Sequence, residues 1–308
     1  MVDGTDAGGA TEFRSGFVCF VGRPNTGKST LTNALVGAKI AITSSRPQTT
    51  RHTIRGIVHR EHTQLILVDT PGLHRPRTLL GQRLNDLVRD TYAEVDVIAL
   101  CIPADEKIGP GDRWIVQQVR QMAPKTTVLG VVTKIDKVGR EDVAAQLLAV
   151  SQLLGPDADV VPVSAVRGEQ VEVLIDVIAS KMPEGPAFYP DGELTDEPEE
   201  TLMAELIREA ALEGVRDELP HSLAVVIEEM LPREGNADLL DVHALLYVER
   251  PSQKAIIIGK GGARLKEVGT AARKQIEHIL GVRIYLHLHV KVAKDWQRDP
   301  KQLGRLGF

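Results

Sequence analysis

Apolar residues in the first half of the chain come in short runs that alternate with amphipathic segments. The runs cover residues 16–22, 64–68, 95–102, 127–132 and 159–163. The amphipathic segments have helical spacing and cover residues 28–37, 79–92, 112–122, 140–154 and 170–182. Short, nearly continuous apolar runs are typical of strands that are buried on both faces of a parallel sheet. The pattern therefore predicts an α/β domain over residues 16–182, with a mainly parallel sheet, helices on both faces and one antiparallel edge hairpin that begins at residues 53–58.

The order of elements changes after residue 182. Residues 183–200 contain four prolines and a cluster of acidic residues, which predicts a linker. Beyond it the pattern predicts a helix, two strands, two helices and a strand, at residues 200–219, 222–231, 244–250, 252–258, 263–280 and 283–292. The order αββααβ indicates a second, α+β domain over residues 201–308, and the polar residues 1–15 are expected to form a disordered arm.

Composition places the chain among ordinary globular proteins. Its 308 residues are 43% apolar and 26% charged, no apolar run approaches the ~18 residues of a membrane span, and the first residues lack the apolar core of a signal peptide. The two cysteines, Cys19 and Cys101, lie in apolar runs, which favours buried thiols in a reducing compartment over a disulfide framework. The net charge is −5, yet residues 240–308 hold 13 Lys and Arg against 6 Asp and Glu. This basic segment indicates either an anionic partner or a solvated charged surface.

A phosphate-binding motif follows the first apolar run. It matches G-x-x-x-x-G-K-[ST] and consists of Gly22, Arg23, Pro24, Asn25, Thr26, Gly27, Lys28 and Ser29, with Thr30 next on the predicted helix. Its place between a strand and a helix lets backbone N–H groups and the helix N-terminus face phosphate oxygens. We expect Lys28 to contact the β- and γ-phosphates and Ser29 to bind Mg²⁺.

A second motif lies at the end of the predicted strand 64–68. It consists of Asp69, Thr70, Pro71 and Gly72. A carboxylate at this strand end is expected to hold Mg²⁺ through water, and the N–H of Gly72 to meet the γ-phosphate. A switch threonine that binds both must lie between the two motifs, where Thr49 and Thr50 are the candidates and the residues alone favour neither.

A third motif follows the predicted strand 127–132 and consists of Thr133, Lys134, Ile135 and Asp136. It is close to the guanine-reading sequence Asn-Lys-x-Asp, in which the aspartate accepts from the N1–H and the exocyclic amine of guanine. Thr133 replaces the usual asparagine, and a hydroxyl has fewer donors than an amide. Ser164 and Ala165 follow the next strand, where a backbone N–H would meet the guanine O6.

These residues resemble those of the Era family of GTPases. GRPNTGKST, PQTTRHT, DTPGLH, TKID and SA follow the family's order and spacing over about residues 16–181. Gly259, Lys260, Gly261 and Gly262 form a G-x-x-G between two predicted helices, as in KH domains of the αββααβ type. The resemblance implies a P-loop GTPase domain followed by one KH domain, and it favours Thr50 as the switch threonine.

Leu73 occupies the position after Asp-x-x-Gly, where many GTPases carry a glutamine that orients the attacking water. Leucine cannot hydrogen-bond water, so hydrolysis is expected to be slow and to depend on charge stabilisation. In related GTPases an asparagine at the position of Asn25 helps to hold K⁺, while the alternative for Asn25 is a turn residue. The resemblance thus implies four catalytic residues, Lys28, Thr50, Asn25 and Gly72, and three Mg²⁺ ligands, Ser29, Thr50 and Asp69.

The KH domain is expected to clamp the backbone of about four nucleotides on its G-x-x-G loop. Lys260, Arg264 and Lys266 would neutralise phosphates, and Ile258 would line the groove. Trp296 is expected to cap this domain, with contact to RNA or to an acidic membrane surface as alternatives for the basic tail. His287 and His289 share a strand face but lack a third ligand at metal spacing, which favours an ordinary strand face over a metal site.

The resemblance implies an enzyme that binds GTP with Mg²⁺, hydrolyses it to GDP, binds 16S ribosomal RNA near its 3′ end and acts in 30S subunit assembly. It implies RNA rather than DNA as the nucleic acid, and a cytoplasmic location with peripheral association to the inner membrane face as an option. Two alternatives stay open: a non-catalytic RNA-binding scaffold with a decayed nucleotide site, and a nucleotide hydrolase of relaxed base choice.

Overall fold

The computed structural model describes residues 12–43, 50–72, 76, 78–215 and 222–308. Its first half contains a six-stranded sheet with the strands β1 (Arg14–Val21), β2 (Ile54–Arg60), β3 (Thr63–Asp69), β4 (Val97–Pro103), β5 (Thr127–Thr133) and β6 (Val160–Pro162). Its helices are α1 (Lys28–Val36), α2 (Leu79–Glu94), α3 (Pro110–Met122), α4 (Arg140–Leu154) and α5 (Val171–Ser180). The predicted α/β fold of this half is confirmed.

The strand order of this sheet is β2-β3-β1-β4-β5-β6, in which β2 is antiparallel to β3 and the remaining pairs are parallel. Successive side chains of a strand point to opposite faces. Val18 and Phe20 accordingly pack into the core under α1 and α5, while Cys19 and Val21 pack into the core under α2 and α3. Because parallel strands end at the same edge, the loops after β1, β3, β5 and β6 meet there.

The second half is a three-stranded sheet covered on one face by helices. Its elements are α6 (Glu199–Leu212), β7 (Ala224–Arg233), β8 (Asn236–Val248), α7 (Pro251–Ile258), α8 (Ala263–Leu280), β9 (Arg283–Val292) and a short α9 (Pro300–Arg305). The order is β7-β8-β9, with β7 antiparallel and β9 parallel to β8. The helices and the inner sheet face share one apolar core that includes Leu206, Val242, Ile257, Ala272 and Ile284. The predicted αββααβ order is confirmed.

The helix α6 and the strands β8 and β1 each differ from the prediction at one end. The helix expected over residues 200–219 ends at Leu212, where a turn with Gly214 at φ +72° follows, and residues 216–221 lie outside the described part. The strand β8 begins at Asn236 rather than at residue 244, because residues 240–243 pair with both neighbouring strands although Asp238 and Asp241 interrupt the apolar pattern. At the N-terminus, β1 begins at Arg14, inside the expected arm, and residues 1–11 lie outside the described part.

The proline-rich segment after α5 contacts the beginnings of β1 and β3 and the edge strand β2. The N–H of Ser15 donates to the carbonyl of Pro183 over 3.1 Å, and the N–H of Ile57 donates to that of Leu194 over 2.9 Å. The side chain of Gln64 donates to the Tyr189 carbonyl over 2.8 Å. Hydrogen bonds to the first domain therefore fix the segment expected as a linker at residues 183, 189 and 194.

Residues of the C-terminal segment lie between the two halves. Trp296 is fully buried and belongs to an apolar cluster with Leu80 and Leu84 of α2 and Tyr247 of β8. Its indole N–H donates to the carbonyl of Ser222 over 2.9 Å. Trp296 thus packs against the second domain as predicted and also joins it to the first.

Among the helices that the structure describes, none is long and apolar enough to cross a membrane.

Candidate nucleotide and RNA sites

The loop between β1 and α1 has the backbone shape of a phosphate-binding loop. Asn25 and Gly27 have φ values of 65° and 93°, and these left-handed residues curl the chain back on itself. A side chain at Gly22 would place its Cβ 2.6 Å from the backbone oxygen of Cys101, so only glycine fits there. The loop therefore curls around a space in front of the N-terminus of α1, where the helix dipole favours an anion.

Lys28 folds back over this loop. Its ammonium donates to the carbonyls of Gly22 and Arg23 over 3.1 and 3.0 Å. Burial lowers the pKa of Lys28, with the charge of Asp69 opposing that shift. An added Cβ at Gly72 would lie 3.7 Å from the Lys28 Nζ, so the second motif borders the same space.

Three oxygen-bearing side chains converge beside the loop. The Ser29 hydroxyl donates to Asp69 Oδ2 over 2.7 Å, the Thr50 hydroxyl donates to the same oxygen over 3.2 Å, and the two hydroxyl oxygens are 3.0 Å apart. Asp69 is fully buried, and its Oδ1 has no hydrogen-bond partner in the described part of the chain. Burial raises the pKa of Asp69, while hydrogen bonds from Ser29 and Thr50 oppose the shift. Hard oxygen ligands around an unsatisfied buried carboxylate fit Mg²⁺. Thr49 and Leu73 lie outside the described residues.

The third motif and the loop after β6 enclose a cavity of about 200 Å³. Gly27, Leu31, Lys134, Asp136 and Ala165 are among its lining residues. Lys134 has a φ of 59°, which turns the chain so that its side chain and that of Asp136 both reach the cavity. The cavity lies directly beside the phosphate loop, as a nucleoside pocket must.

Asp136 is oriented by a residue of the neighbouring loop. The hydroxyl of the buried Ser164 donates to Asp136 Oδ1 over 2.6 Å. This hydrogen bond lowers the pKa of Asp136, so the carboxylate is ionised at neutral pH and can accept from two donors of a base.

Thr133 lies at the end of β5 and is buried. Its hydroxyl donates to the carbonyl of Thr26 in the phosphate loop over 2.6 Å. The side chain therefore joins the base motif to the phosphate loop, and its one donor is used within the protein.

Arg23 contacts acidic residues that sequence reasoning missed. Its Nε donates to Asp112 and its Nη2 to Glu106, both over 2.8 Å. Lys134 lies 4.0 Å from Glu106 as well. Asp112 is the third residue of α3 and also accepts a hydrogen bond from the N–H of Gly109. This helix-capping role can be predicted from the sequence. The pairing with Arg23 cannot, because the two residues are far apart along the chain. The guanidinium of Arg23 is thus directed to α3 rather than to the phosphates.

The G-x-x-G loop joins α7 to α8. Gly259, Gly261 and Gly262 have φ values of 71°, 60° and 80°. A Cβ at Gly259 would lie 2.7 Å from the Cβ of Arg264, so the close approach also requires glycine there. Lys260 is exposed at the loop tip, where it can meet phosphate groups.

The side chains predicted to contact RNA differ in their exposure and in the partners they already have within the protein. Lys266 is exposed on the first turns of α8, and Ile258 is partly buried at the base of the loop. The guanidinium of Arg264, in contrast, donates to the carbonyls of Ala211 and Glu213 at the end of α6. Its charge offsets unpaired helix carbonyls there, which sequence spacing could not reveal.

Comparisons with known proteins follow the same division of the chain. A family model described as a 50S ribosome-binding GTPase matches residues 17–134, and a KH domain model matches residues 218–297. The GTPase Era of Mycolicibacterium smegmatis is 79% identical over 298 residues, which is 97% of this chain and all of that relative. The chain belongs to the Era family of GTPases. The GTPase Era of Mycobacterium tuberculosis is 76% identical over 299 residues, again 97% of this chain and all of the relative.

Two solved structures of the family superimpose on nearly the whole chain. A crystal structure of Era with MgGDPNP and nucleotides 1506–1542 of 16S ribosomal RNA has a TM-score of 0.91 and 38% identity, covering 96% of this chain and 99% of that one. A crystal structure of an Aquifex aeolicus Era variant bound to GDP·AlF₄⁻ gives the same values. The Era-family fold expected from the motifs is therefore confirmed at both domains.

Proposed function

We propose that this Era-family GTPase binds GTP with Mg²⁺, hydrolyses it slowly to GDP, binds the 3′ end of 16S ribosomal RNA and acts in 30S subunit assembly. The observation that carries the nucleotide half is the convergence of Ser29, Thr50 and Asp69 beside the phosphate loop. The GDPNP and 16S RNA bound by the solved Era relative support both halves. We assign the GTPase domain to residues 16–182, the linker to 183–200 and the KH domain with its tail to 201–308.

The described geometry supports a role for each phosphate-site residue. Ser29 and Thr50 would hold Mg²⁺ through their hydroxyls and Asp69 through water. When bound, Mg²⁺ supplies positive charge that offsets the charge developing on the phosphates. Lys28 would exchange its two loop carbonyls for phosphate oxygens, and Gly72 would donate its N–H to the γ-phosphate. The rest of the loop, Arg23 through Thr26, would contact phosphates through its backbone.

Hydrolysis in this site requires a substitute for the water-orienting glutamine that Leu73 replaces. We assign Asn25, held with a φ of 65° in the loop, as a ligand of K⁺ next to the phosphates. The cation would stabilise charge in the transition state. Phosphate release in K⁺ and in Na⁺ at equal ionic strength tests this role. K⁺ should be faster, and Asn25→Ala should remove the difference; equal rates in the wild type leave Asn25 as a turn residue.

Base choice would rest mainly on Asp136. Because the Thr133 hydroxyl is used on Thr26, it is not placed to donate to the base. A hydrolase of relaxed base choice is therefore the second candidate function. Side-by-side phosphate release from GTP and ATP, with and without Mg²⁺, separates the two. A GTPase releases phosphate from GTP alone, whereas comparable rates establish relaxed choice.

RNA binding is assigned to the G-x-x-G loop with the flanking Ile258, Lys260 and Lys266. Lys260→Asp removes a phosphate contact and adds repulsion, so RNA affinity should fall and its salt dependence should flatten by about one unit of slope. GTP affinity, measured on the same samples, should stay nearly constant. RNA affinity that survives while GTP binding collapses would contradict the KH assignment.

We place the protein in the cytoplasm, with peripheral attachment to the inner membrane face as a second location.

A further inference from the structure

The outer face of the second sheet carries a row of rings that the nucleotide and G-x-x-G sites do not use. Cross-strand pairing sets His243 of β8 opposite His287 of β9, and Asp241 opposite Tyr285. The two imidazoles are parallel, with ring centroids 4.3 Å apart and an interplanar angle of 4°. The Tyr285 ring lies 4.6 Å from that of His287 and is 47% exposed. Solvent-facing stacked rings on a sheet are a platform for further flat groups.

The stack points toward the edge of the sheet. His243 and His287 stand on neighbouring strands, so the axis of their stack runs across the strands. β9 is the last strand of the sheet in the described part of the chain, and no strand follows His287 along this axis. A third ring could therefore extend the stack from the open side of His287.

The helices that flank the G-x-x-G loop pack against the other face of the same strand. Ile284 and Leu286 alternate with the ring residues and pack into the core beneath the helices that flank the loop. Ile257, two residues before Gly259, belongs to that core as well. An RNA chain held at the loop on the helical side therefore has to pass around the edge strand β9 to reach the rings on the other face.

The chemistry of the face favours a nucleobase. The guanidinium of Arg233 lies 4.7 Å from the centre of the Tyr285 ring, and Arg283 extends the exposed row along β9. Partial burial, and then repulsion from His243, lower the pKa of His287, so its ring is neutral and able to stack at pH 7. Within the described residues no three metal-ligating side chains come together.

We propose that His287, with His243 and Tyr285, forms a second RNA contact, which stacks a base from the nucleotides flanking those held by the G-x-x-G loop. This inference rests on the proposed RNA-binding function. A KH groove holds about four nucleotides. The second contact therefore adds affinity only for RNA long enough to pass around β9.

The test compares two RNA lengths on the full chain. One probe is a single strand of about 12 nucleotides from the 3′ end of 16S ribosomal RNA, and the other is the set of its four-nucleotide fragments. His287→Ala should weaken the longer probe about 5- to 150-fold, the range for losing one base–ring stack, and leave the fragments unchanged. His287→Phe keeps a ring and should bind as the wild type does. His278→Ala, at an exposed position on α8, is the matched control and should have no effect.

Two further readouts separate stacking from a structural effect. 2-Aminopurine placed along the longer probe should be quenched at one flanking position by the wild type and not by His287→Ala. The salt dependence should keep its slope in His287→Ala, because a neutral ring releases no counterion, whereas Lys260→Asp flattens it.

Each failure has its own signature. The stacking contact is refuted if His287→Ala and Tyr285→Ala bind the longer probe as the wild type does, or if they weaken the four-nucleotide fragments equally. In both cases Lys260→Asp still weakens RNA binding and the proposed function stands. If the wild type binds neither probe, RNA binding itself fails, and the second contact fails with it.

Discussion

Glu209 of the KH domain accepts two hydrogen bonds from Thr43 of the GTPase domain. Its Oε1 lies 2.7 Å from the backbone N and 3.2 Å from the hydroxyl of Thr43. Its Oε2 pairs with Lys39. On the other side of the switch residues, Arg51 donates to the carbonyl of Leu223 over 2.7 Å. Both flanks of the segment that carries Thr50 are thus attached to the KH domain, so the two domains should respond together to bound nucleotide.

Glu209→Ala should loosen this attachment. It leaves the Thr43 N–H without its acceptor and Lys39 with Gln275 as its remaining partner. The free energy of unfolding should therefore fall by about 1–3 kcal/mol. The difference in RNA affinity between the GDP-bound and GTP-analogue-bound protein should shrink, because one flank of the switch no longer holds α6. Denaturant unfolding and RNA titrations in both states measure the two effects. Glu267→Ala, exposed on α8, is the control; a Glu209→Ala protein with full nucleotide dependence would refute the coupling.

Lys28→Ala removes the ammonium group that folds back over the phosphate loop. Hydrolysis should fall at least ~100-fold, on the scale of a lost contact to transition-state charge. Single-turnover phosphate release gives the rate, and Lys125→Ala, at an exposed position, is the control. Unchanged hydrolysis in the purified variant would refute the assignment of this loop.

We expect the buried carboxylate of Asp69 to destabilise the nucleotide-free protein. Its pKa is raised in the folded state, so the unfolded chain ionises first and stability falls as pH rises through the unfolded value of about 3.9. Asp69→Asn removes that penalty and should raise the melting temperature of the free protein at pH 7. It should also abolish the further stabilisation by Mg²⁺ and GTP. Thermal melts with and without both ligands test this, and a lower melting temperature of the free variant would contradict it.

The motifs predicted the sheet and the KH order, and they indicated the candidate residues that converge beside the phosphate loop, because each depends on local periodicity or fixed spacing. The contacts between the domains could not be predicted in this way. Glu209 and Thr43 are 166 positions apart, and the sequence around each residue does not indicate the other as its partner. The same reason explains Arg264, whose basic character predicted a phosphate contact while its partners are the carbonyls that end α6. The early start of β8 was missed because pairing with two neighbouring strands overcame a weak apolar pattern.

Asp136→Asn should alter base preference. It turns a carboxylate that accepts from two guanine donors into an amide that matches only one, so the preference for GTP should fall and xanthosine nucleotides should bind. Competition of GTP, XTP and ATP against a fluorescent GDP measures the change. Unaltered preference would remove Asp136 from the base pocket, although it lines the cavity.

Thr133→Val should act on affinity without acting on base choice. Loss of the hydroxyl leaves the buried carbonyl of Thr26 without its donor, at a cost of about 1–3 kcal/mol. Because Thr26 belongs to the phosphate loop and not to the base pocket, any resulting shift of the loop should raise the dissociation constants for GTP, GDP and weakly bound ATP by a similar factor. Thr133→Ser keeps the hydroxyl and should bind nearly as the wild type does. Equilibrium titrations of the three nucleotides decide the matter: a change in the ratio of GTP to ATP affinity would mean that Thr133 contacts the base itself.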